Sequence, residues 1–181
     1  MRAILFFANG TEEIEAVTSI DILRRANIEV ITVGIGTNMP RGAHGIRIET
    51  DTVSDKADIN MPFDMIILPG GMPGTTNIEN DAYAEKFIER AYKEGKYIAA
   101  ICAAPSIIGK KGYLENKNAV CFPGFEKYLK NAKISDESVV FDGKFITAEN
   151  AYCANIFALK CVEALCGKDF AAKLEKSVNA R

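Results

Sequence analysis

The stretch YIAAICAAP, residues 97–105, joins a short apolar run to a cysteine and then to a proline. Its first five residues are apolar without interruption, a pattern that predicts a strand covered on both faces of a sheet. Pro105 favours the first turn of a helix, which we expect to end near Gly109 and Lys110. Cys102 is therefore predicted to lie on a tight turn between a buried strand and a helix, as catalytic nucleophiles do in many α/β enzymes.

Further apolar runs on either side of this stretch predict buried strands, and helical patterns separate them. The predicted strands are residues 2–8, 28–35 and 64–68. The predicted helices are a first one capped by Thr11 and ending near Ala26, and three more over residues 80–94, 152–166 and 168–176. Residues 138–147 alternate around Asp142-Gly143, the pattern of a hairpin, and residues 45–50 predict an edge strand or hairpin arm.

Alternation of buried strands with helices predicts an α/β fold with a mostly parallel sheet. The chain has 181 residues, which corresponds to about one domain of ordinary size. No repeat, low-complexity stretch or linker interrupts it. We therefore expect a single domain over residues 1–181.

Composition excludes several classes of protein. Apolar residues make up 48% and charged residues 25%, the balance of a soluble globular protein. The 22 basic and 24 acidic residues leave no basic excess, so we expect no nucleic-acid partner. No apolar run approaches the ~18 residues of a membrane span, and the first residues predict a strand in place of a signal peptide.

The number and spacing of the cysteines predict a cytoplasmic protein whose thiols are reduced. There are five of them, no two form a Cys-x-x-Cys pair, and the chain has one histidine. A zinc site of ordinary ligand spacing is therefore not expected, and we predict neither a metal nor a cofactor. We expect Cys153, Cys161 and Cys166 to pack in the core.

Two residues are the main candidates for chemistry, and each has a plain structural alternative. Cys102 is either a reactive thiol, with its pKa lowered by the helix N-terminus, or a buried core thiol. Glu15 either points inward with a raised pKa or is a partly exposed helix acid. Glu12 and Glu13 are expected to be solvated.

Two loops add weaker candidates. Gly70-Gly71 either presents backbone N–H groups to an oxyanion or simply makes a sharp turn. His44, in the segment RGAHG, is expected to face solvent.

Several separated motifs, in order, resemble the DJ-1 (ThiJ/PfpI) superfamily, in particular its small bacterial YajL-like branch. They are ANGTEEIEAV, SIDILRRANIEV, DMIILPGGMPG, AAICAAP, CFPGFE and FALKCVEAL. The resemblance covers nearly the whole chain. It implies a flavodoxin-like three-layer sandwich, a homodimer and a reactive cysteine on a strained turn.

The resemblance also assigns roles to individual residues. It implies that Cys102 is the nucleophile, that Glu15 is a protonated acid bonded to its sulfur, and that Gly71 and Ala103 supply oxyanion N–H groups. We also place further residues in or beside the pocket: Asp21, Arg25, Gly70, Cys121, Phe122 and His44. The position of His44 lies near the dimer interface in the family. Cys121 is either a packed strand thiol or a second pocket thiol able to form a disulfide with Cys102.

This sequence departs from its relatives at three positions. Ala103 stands where the protease-like branch has a histidine, and Phe122 stands where the human-like branch has one. Without either histidine, a cysteine peptidase lacks its base. Glu149 replaces an arginine that many relatives carry near the pocket.

The resemblance therefore predicts a cofactor-independent enzyme acting on reactive 2-oxoaldehydes, as a glyoxalase or as a deglycase of glycated thiols and amines. The alternative is an oxidative-stress sensor or chaperone that uses the same cysteine without turnover. An intracellular peptidase or amidase is the third interpretation, and nothing in these residues favours a thiazole-biosynthesis role.

Overall fold

A computed structural model describes residues 1–179. Its main sheet has seven strands: β1 (Arg2–Phe7), β2 (Glu29–Gly34), β3 (Thr52–Val53), β4 (Met65–Leu68), β5 (Tyr97–Ile101), β8 (Val139–Asp142) and β9 (Phe145–Ala148). Their order across the sheet is β3-β2-β1-β4-β5-β9-β8, and all neighbours are parallel except the antiparallel pair β8–β9. Two further short strands, β6 (Asn118–Ala119) and β7 (Lys133–Ile134), pair with each other.

Helices cover both faces of the sheet. They are α1 (Glu13–Arg25), α2 (Gly74–Glu79), α3 (Ala82–Lys93), α4 (Pro105–Lys110), α5 (Ala154–Cys166) and α6 (Lys168–Val178). None of the helices in the described residues is long and apolar enough to cross a membrane.

The side chains of β1 show how the sheet and the helices on its two faces form three layers. Leu5 and Phe7 pack with α1 and α5 on one face, whereas Ile4 and Phe6 pack with α3 and α4 on the other. Strand side chains point alternately to the two faces, so a continuous apolar run fills both cores. The predicted α/β sandwich with a mostly parallel sheet is confirmed.

The first helix begins differently from the prediction. Thr11 does not cap it, because its Oγ1 accepts from the Ala8 N–H at 3.0 Å. Glu12 is the capping residue instead, and its carboxylate accepts from the Ile14 N–H at 3.4 Å. On this helix Glu15 faces inward, and the neighbouring Ile14 is exposed.

One other prediction is wrong, and one helix was not predicted. Residues 45–50 form no strand, since their one ladder contact is an antiparallel bridge between Arg41 and Arg47. The helix predicted over 80–94 is confirmed as α3, which Asp81 caps, and the short helix α2 that precedes it was not predicted. The hairpin over 138–147 and the helix end at Gly167 are confirmed.

Candidate active site

Cys102 lies on the turn between β5 and α4. Its φ is 63°, in the left-handed region that residues other than glycine seldom adopt. Such a conformation costs of order 1–3 kcal/mol and persists only where neighbours hold it. Two backbone hydrogen bonds do so here: the Cys102 N–H donates to the Ala148 carbonyl at 2.9 Å, and the Phe122 N–H donates to the Cys102 carbonyl at 2.8 Å.

The loop after β4 packs directly against this turn. A Cβ on Gly70 would lie 2.6 Å from the Cys102 Cβ and 2.9 Å from Glu15 Oε2, so only glycine fits between them. Gly71 has a φ of 86°, and a Cβ there would collide with the Glu12 backbone nitrogen. The Glu12 N–H donates to the Gly70 carbonyl at 2.9 Å, which ties the loop to the start of α1.

Glu15 is fully buried beside Cys102, with 0% of its surface exposed. Its Oε2 accepts from the Gly70 N–H at 2.7 Å, and the carboxyl also hydrogen-bonds with the Cys102 thiol. Within residues 1–179, Oε1 has no nitrogen or oxygen partner. Burial raises the pKa of this carboxyl to about 7, against the opposing effect of the Gly70 N–H and the Cys102 thiol. Near neutral pH a large fraction of Glu15 therefore holds a proton.

Burial raises the pKa of the Cys102 thiol to about 12, and the charge of ionised Glu15 acts in the same direction. The backbone N–H groups of Gly71 and Ala103 donate to the thiol and lower the pKa without outweighing burial. The prediction that the helix N-terminus lowers the pKa of Cys102 is therefore wrong when Glu15 is ionised. When Glu15 holds its proton this repulsion is absent, so the two groups titrate as a pair.

The geometry thus brings four predicted site residues together: Cys102, Glu15, Gly71 and Ala103. The Cys102 thiol hydrogen-bonds with the backbone N–H groups of Gly71 and Ala103 and with the buried Glu15 carboxyl, whose pKa is about 7. A carbonyl carbon attacked by the sulfur would place its oxygen near these N–H groups. The arrangement therefore combines a nucleophile, an oxyanion site and a proton carrier.

Comparison with known proteins identifies the family. Residues 1–164 match the model of the DJ-1/PfpI family. The chain belongs to the DJ-1/PfpI family.

Individual relatives agree with this assignment. Protein DJ-1 homolog B of Arabidopsis thaliana is 37% identical over 177 residues, and the chain spans 40% of that relative's length. Glutathione-independent glyoxalase DJR-1.2 of Caenorhabditis elegans is 32% identical over 92% of this chain and 89% of its own. The structure of oxidised Toxoplasma gondii DJ-1 superposes with a TM-score of 0.93 at 32% identity, covering 98% of this chain and 97% of that one. These relatives are eukaryotic, so they give no support to the small bacterial branch that the motifs indicated.

Cys121 and Phe122 adjoin the Cys102 turn through the backbone, but the Cys121 side chain lies elsewhere. Cys121 is buried in the cluster on the α3 and α4 face, whereas Cys102 packs against the cluster on the opposite face. Burial raises the Cys121 pKa to about 12. The structure therefore favours the packed thiol over the second pocket thiol.

Asp21 and Arg25, which the DJ-1/PfpI resemblance placed at the pocket, pair with each other on the surface of α1. The Arg25 Nε–Asp21 Oδ2 distance is 2.6 Å, and both side chains are more than half exposed. Within residues 1–179, neither side chain hydrogen-bonds to Cys102, Glu15 or Gly70.

His44 is exposed as predicted, yet the acids beside it are not solvated. Glu13 is buried, and hydrogen bonds from its own backbone, His44 and Ile46 lower its pKa although burial acts to raise it. Its Oε2 lies 3.1 Å from His44 Nδ1, and Glu12 Oε2 lies 3.4 Å from the same atom. Sequence patterns missed this cluster because His44 follows Glu13 by 31 residues in the chain.

Glu149 and the remaining cysteines complete the predicted set. The Glu149 N–H donates to the Ser138 carbonyl at 3.0 Å, at the open end of the β8–β9 hairpin. Cys153 and Cys161 are buried in the core as expected, and Cys166 at the end of α5 is partly exposed.

Proposed function

We propose that this DJ-1/PfpI protein converts 2-oxoaldehydes to 2-hydroxy acids without a cofactor. The observation that carries the proposal is the pairing of Cys102, on a strained turn, with a fully buried Glu15 whose pKa is about 7. A group with that pKa can both accept and return a proton at neutral pH, which general acid–base catalysis requires.

The proposed reaction begins with attack of the Cys102 sulfur on the aldehyde carbon. Ionised Glu15 takes the thiol proton as the C–S bond forms, and the carbonyl electron pair moves to oxygen. The N–H groups of Gly71 and Ala103 stabilise the resulting oxyanion until Glu15 returns that proton to it, which gives a hemithioacetal. Glu15 then takes the proton from the former aldehyde carbon, which gives an enediolate, and delivers it to the adjacent carbon. The hydroxyl proton of the hemithioacetal passes to the second oxygen, so the second carbonyl becomes a hydroxyl and the first carbon becomes a thioester carbonyl. The product is a thioester, and water releases the 2-hydroxy acid and regenerates the thiol.

The Caenorhabditis elegans relative supports this reaction class, because its name describes a glyoxalase that works without glutathione. Residues on this chain supply each role in the scheme, from nucleophile to proton carrier. We extend the substrate class to glycated thiols and amines, because these adducts release the same carbonyl compounds, the 2-oxoaldehydes.

A lactate assay with methylglyoxal tests the proposal. We expect Cys102→Ser to abolish turnover and Cys166→Ser, a matched change at another partly exposed thiol, to leave it unchanged. Glu15→Gln should lower turnover by a factor of about 10² or more, because glutamine cannot carry the proton. Lactate formation that persists in Cys102→Ser would overturn the proposed mechanism.

A second candidate function is redox sensing in oxidative stress, with or without a chaperone role. It is favoured by the two N–H groups directed at the Cys102 sulfur, which are suited to hold the oxygens of a sulfinic acid. Peroxide treatment that yields a stable Cys102 sulfinate in a protein with no methylglyoxal turnover would favour this function. An intracellular peptidase is disfavoured because neither Ala103 nor Phe122 supplies a base.

We further propose a homodimer formed through α1. Ile14 and Val17 are 57% and 47% exposed and adjacent on this helix, and exposed Ile46 lies beside them through its N–H bond to Glu13. Val17→Glu should shift sedimentation towards a monomer, whereas Ile134→Glu, at an exposed residue of β7, should not. A dimer that survives Val17→Glu would place the interface elsewhere.

A cytoplasmic location and a single domain over residues 1–181 belong to the same proposal. All five cysteines are free thiols, as expected in a reducing compartment. Expression of a fluorescent fusion with fractionation tests the location, and limited proteolysis that leaves the chain intact tests the single domain.

A further inference from the structure

Three donor atoms converge at the start of α1, outside the Cys102 site. His44 Nδ1 lies 3.1 Å from Glu13 Oε2 and 3.4 Å from Glu12 Oε2, and all three atoms lie within 4.8 Å of one another. Ligands bound to zinc at about 2.0–2.2 Å in a tetrahedral arrangement are roughly 3.3–3.5 Å apart. The two separations from His44 Nδ1 are close to those between ligands around one cation.

Each carboxylate uses one oxygen for the backbone and presents the other to the cluster. Glu13 Oε1 accepts from the His44 N–H at 2.8 Å and the Ile46 N–H at 3.2 Å, which leaves its Oε2 facing the imidazole. Glu12 Oε1 accepts from the Ile14 N–H, and its Oε2 faces the same imidazole. Outer hydrogen bonds of this kind orient the ligands of metal sites.

The loop that carries His44 is fixed to the segment that carries the two acids. The Ala43 N–H donates to the Thr11 carbonyl at 2.9 Å, and the Gly10 N–H donates to the Arg41 carbonyl at 2.8 Å. Gly42 lies against the Glu13 carboxylate so closely that any Cβ would collide with it. The three donor atoms are therefore held in place before any ligand arrives.

The charge of the cluster also favours a cation. Glu13 and Glu12 side chains are only 5% and 14% exposed, and within residues 1–179 neither forms a salt bridge to a lysine or arginine. Two carboxylates opposite one imidazole retain a negative charge even when the imidazole is protonated. A divalent cation bound by a neutral imidazole would compensate both carboxylates.

We propose that Glu12, Glu13 and His44 bind a divalent transition cation, with Zn²⁺ as the reference ion. Glutamate oxygens and an imidazole nitrogen are a donor set that Zn²⁺ and Co²⁺ accept, and three protein ligands leave a fourth position open. The sequence prediction of no metal considered the usual histidine and cysteine spacings. This site is instead assembled from two adjacent acids and a distant loop.

Calorimetric titration of the reduced protein with Zn²⁺, and separately with Co²⁺, tests the proposal. We expect one ion per chain, at least tenfold weaker binding in His44→Ala and in Glu12→Gln, and unchanged binding in Cys102→Ser. The last variant separates this site from the Cys102 thiol, which is only partly exposed but is itself a candidate zinc ligand. His44 is 72% exposed, so its replacement leaves the fold intact.

The single histidine gives a second and independent readout. The imidazole signals of His44 in a nitrogen-15 NMR spectrum should shift on addition of one equivalent of Zn²⁺. Binding as tight in His44→Ala as in the wild type, loss of binding in Cys102→Ser, or unmoved imidazole signals would each overturn the proposal.

Discussion

Replacing Glu15 with glutamine is expected to make the protein more stable at alkaline pH. In the folded chain, burial raises the pKa of Glu15 from 4.5 to about 7. Each unit of difference between the folded and unfolded pKa corresponds to about 1.4 kcal/mol, so the ionised carboxylate lowers the free energy of unfolding by about 3 kcal/mol.

The sign follows from the direction of the shift. Because the folded pKa is the higher one, the stability that protonated Glu15 contributes is complete below pH 4.5 and is lost as pH rises through about 7. Glutamine is neutral at every pH and keeps an oxygen for the Gly70 N–H. The shift in the Glu15 pKa already includes the effect of the Gly70 N–H, so the net gain at pH 8 should be about 3 kcal/mol.

Urea unfolding at pH 5, 6, 7 and 8 measures this difference. Both proteins should carry Cys102→Ser, which removes the thiol that titrates together with Glu15. Glu13→Gln is the matched control, because the pKa of this neighbouring buried acid is lowered. Its ionised form stabilises the fold, and that stability is complete above the unfolded pKa of 4.5, so Glu13→Gln should lower the free energy of unfolding by the same amount from pH 5 to pH 8. An advantage of Glu15→Gln that stays constant from pH 5 to pH 8 would refute the raised pKa, and with it the proton carrier.

Three further results are expected. Gly70→Ala should cost about 1–3 kcal/mol of stability and most of the turnover, since its Cβ would overlap Cys102 and Glu15; near-normal lactate formation would contradict this. Limiting iodoacetamide should modify Cys102 before Cys166, because the Gly71 and Ala103 N–H groups favour the Cys102 thiolate once Glu15 holds its proton. Peptide mass spectrometry gives the order. Peroxide should oxidise Cys102 without forming a disulfide to Cys121, whose side chain lies on the other face of the sheet, and a cross-linked peptide would count against that placement.

The parts of the fold that follow from local patterns were predictable. The apolar run before Cys102 and the proline after it are enough to place a strand, a turn and a helix, and Asp142-Gly143 is enough to place a hairpin. Each of these depends on neighbouring residues, whose spacing the sequence displays directly.

The features that were missed depend on residues far apart in the chain. Glu13 looked like a solvated acid because the loop that buries it, at His44 and Ile46, returns to α1 only after the second strand. The sequence predicted a lowered pKa for Cys102, whereas its pKa is raised because the effect of burial outweighs that of the nearby N–H groups. Burial depends on the assembled fold, which local sequence patterns do not show. Thr11 resembled a helix cap, yet its hydroxyl accepts from Ala8 instead.

The backbone partners of Cys102 have a consequence for biosynthesis. The carbonyl that accepts from the Cys102 N–H belongs to Ala148, and the N–H that donates to its carbonyl belongs to Phe122. Both are translated after the cysteine. At ~5–20 residues per second, the thiol leaves the ribosome several seconds before the chain that fixes its left-handed conformation. A nascent chain in that interval carries an ordinary flexible cysteine, and reactivity appears only when the last third of the protein has been synthesised.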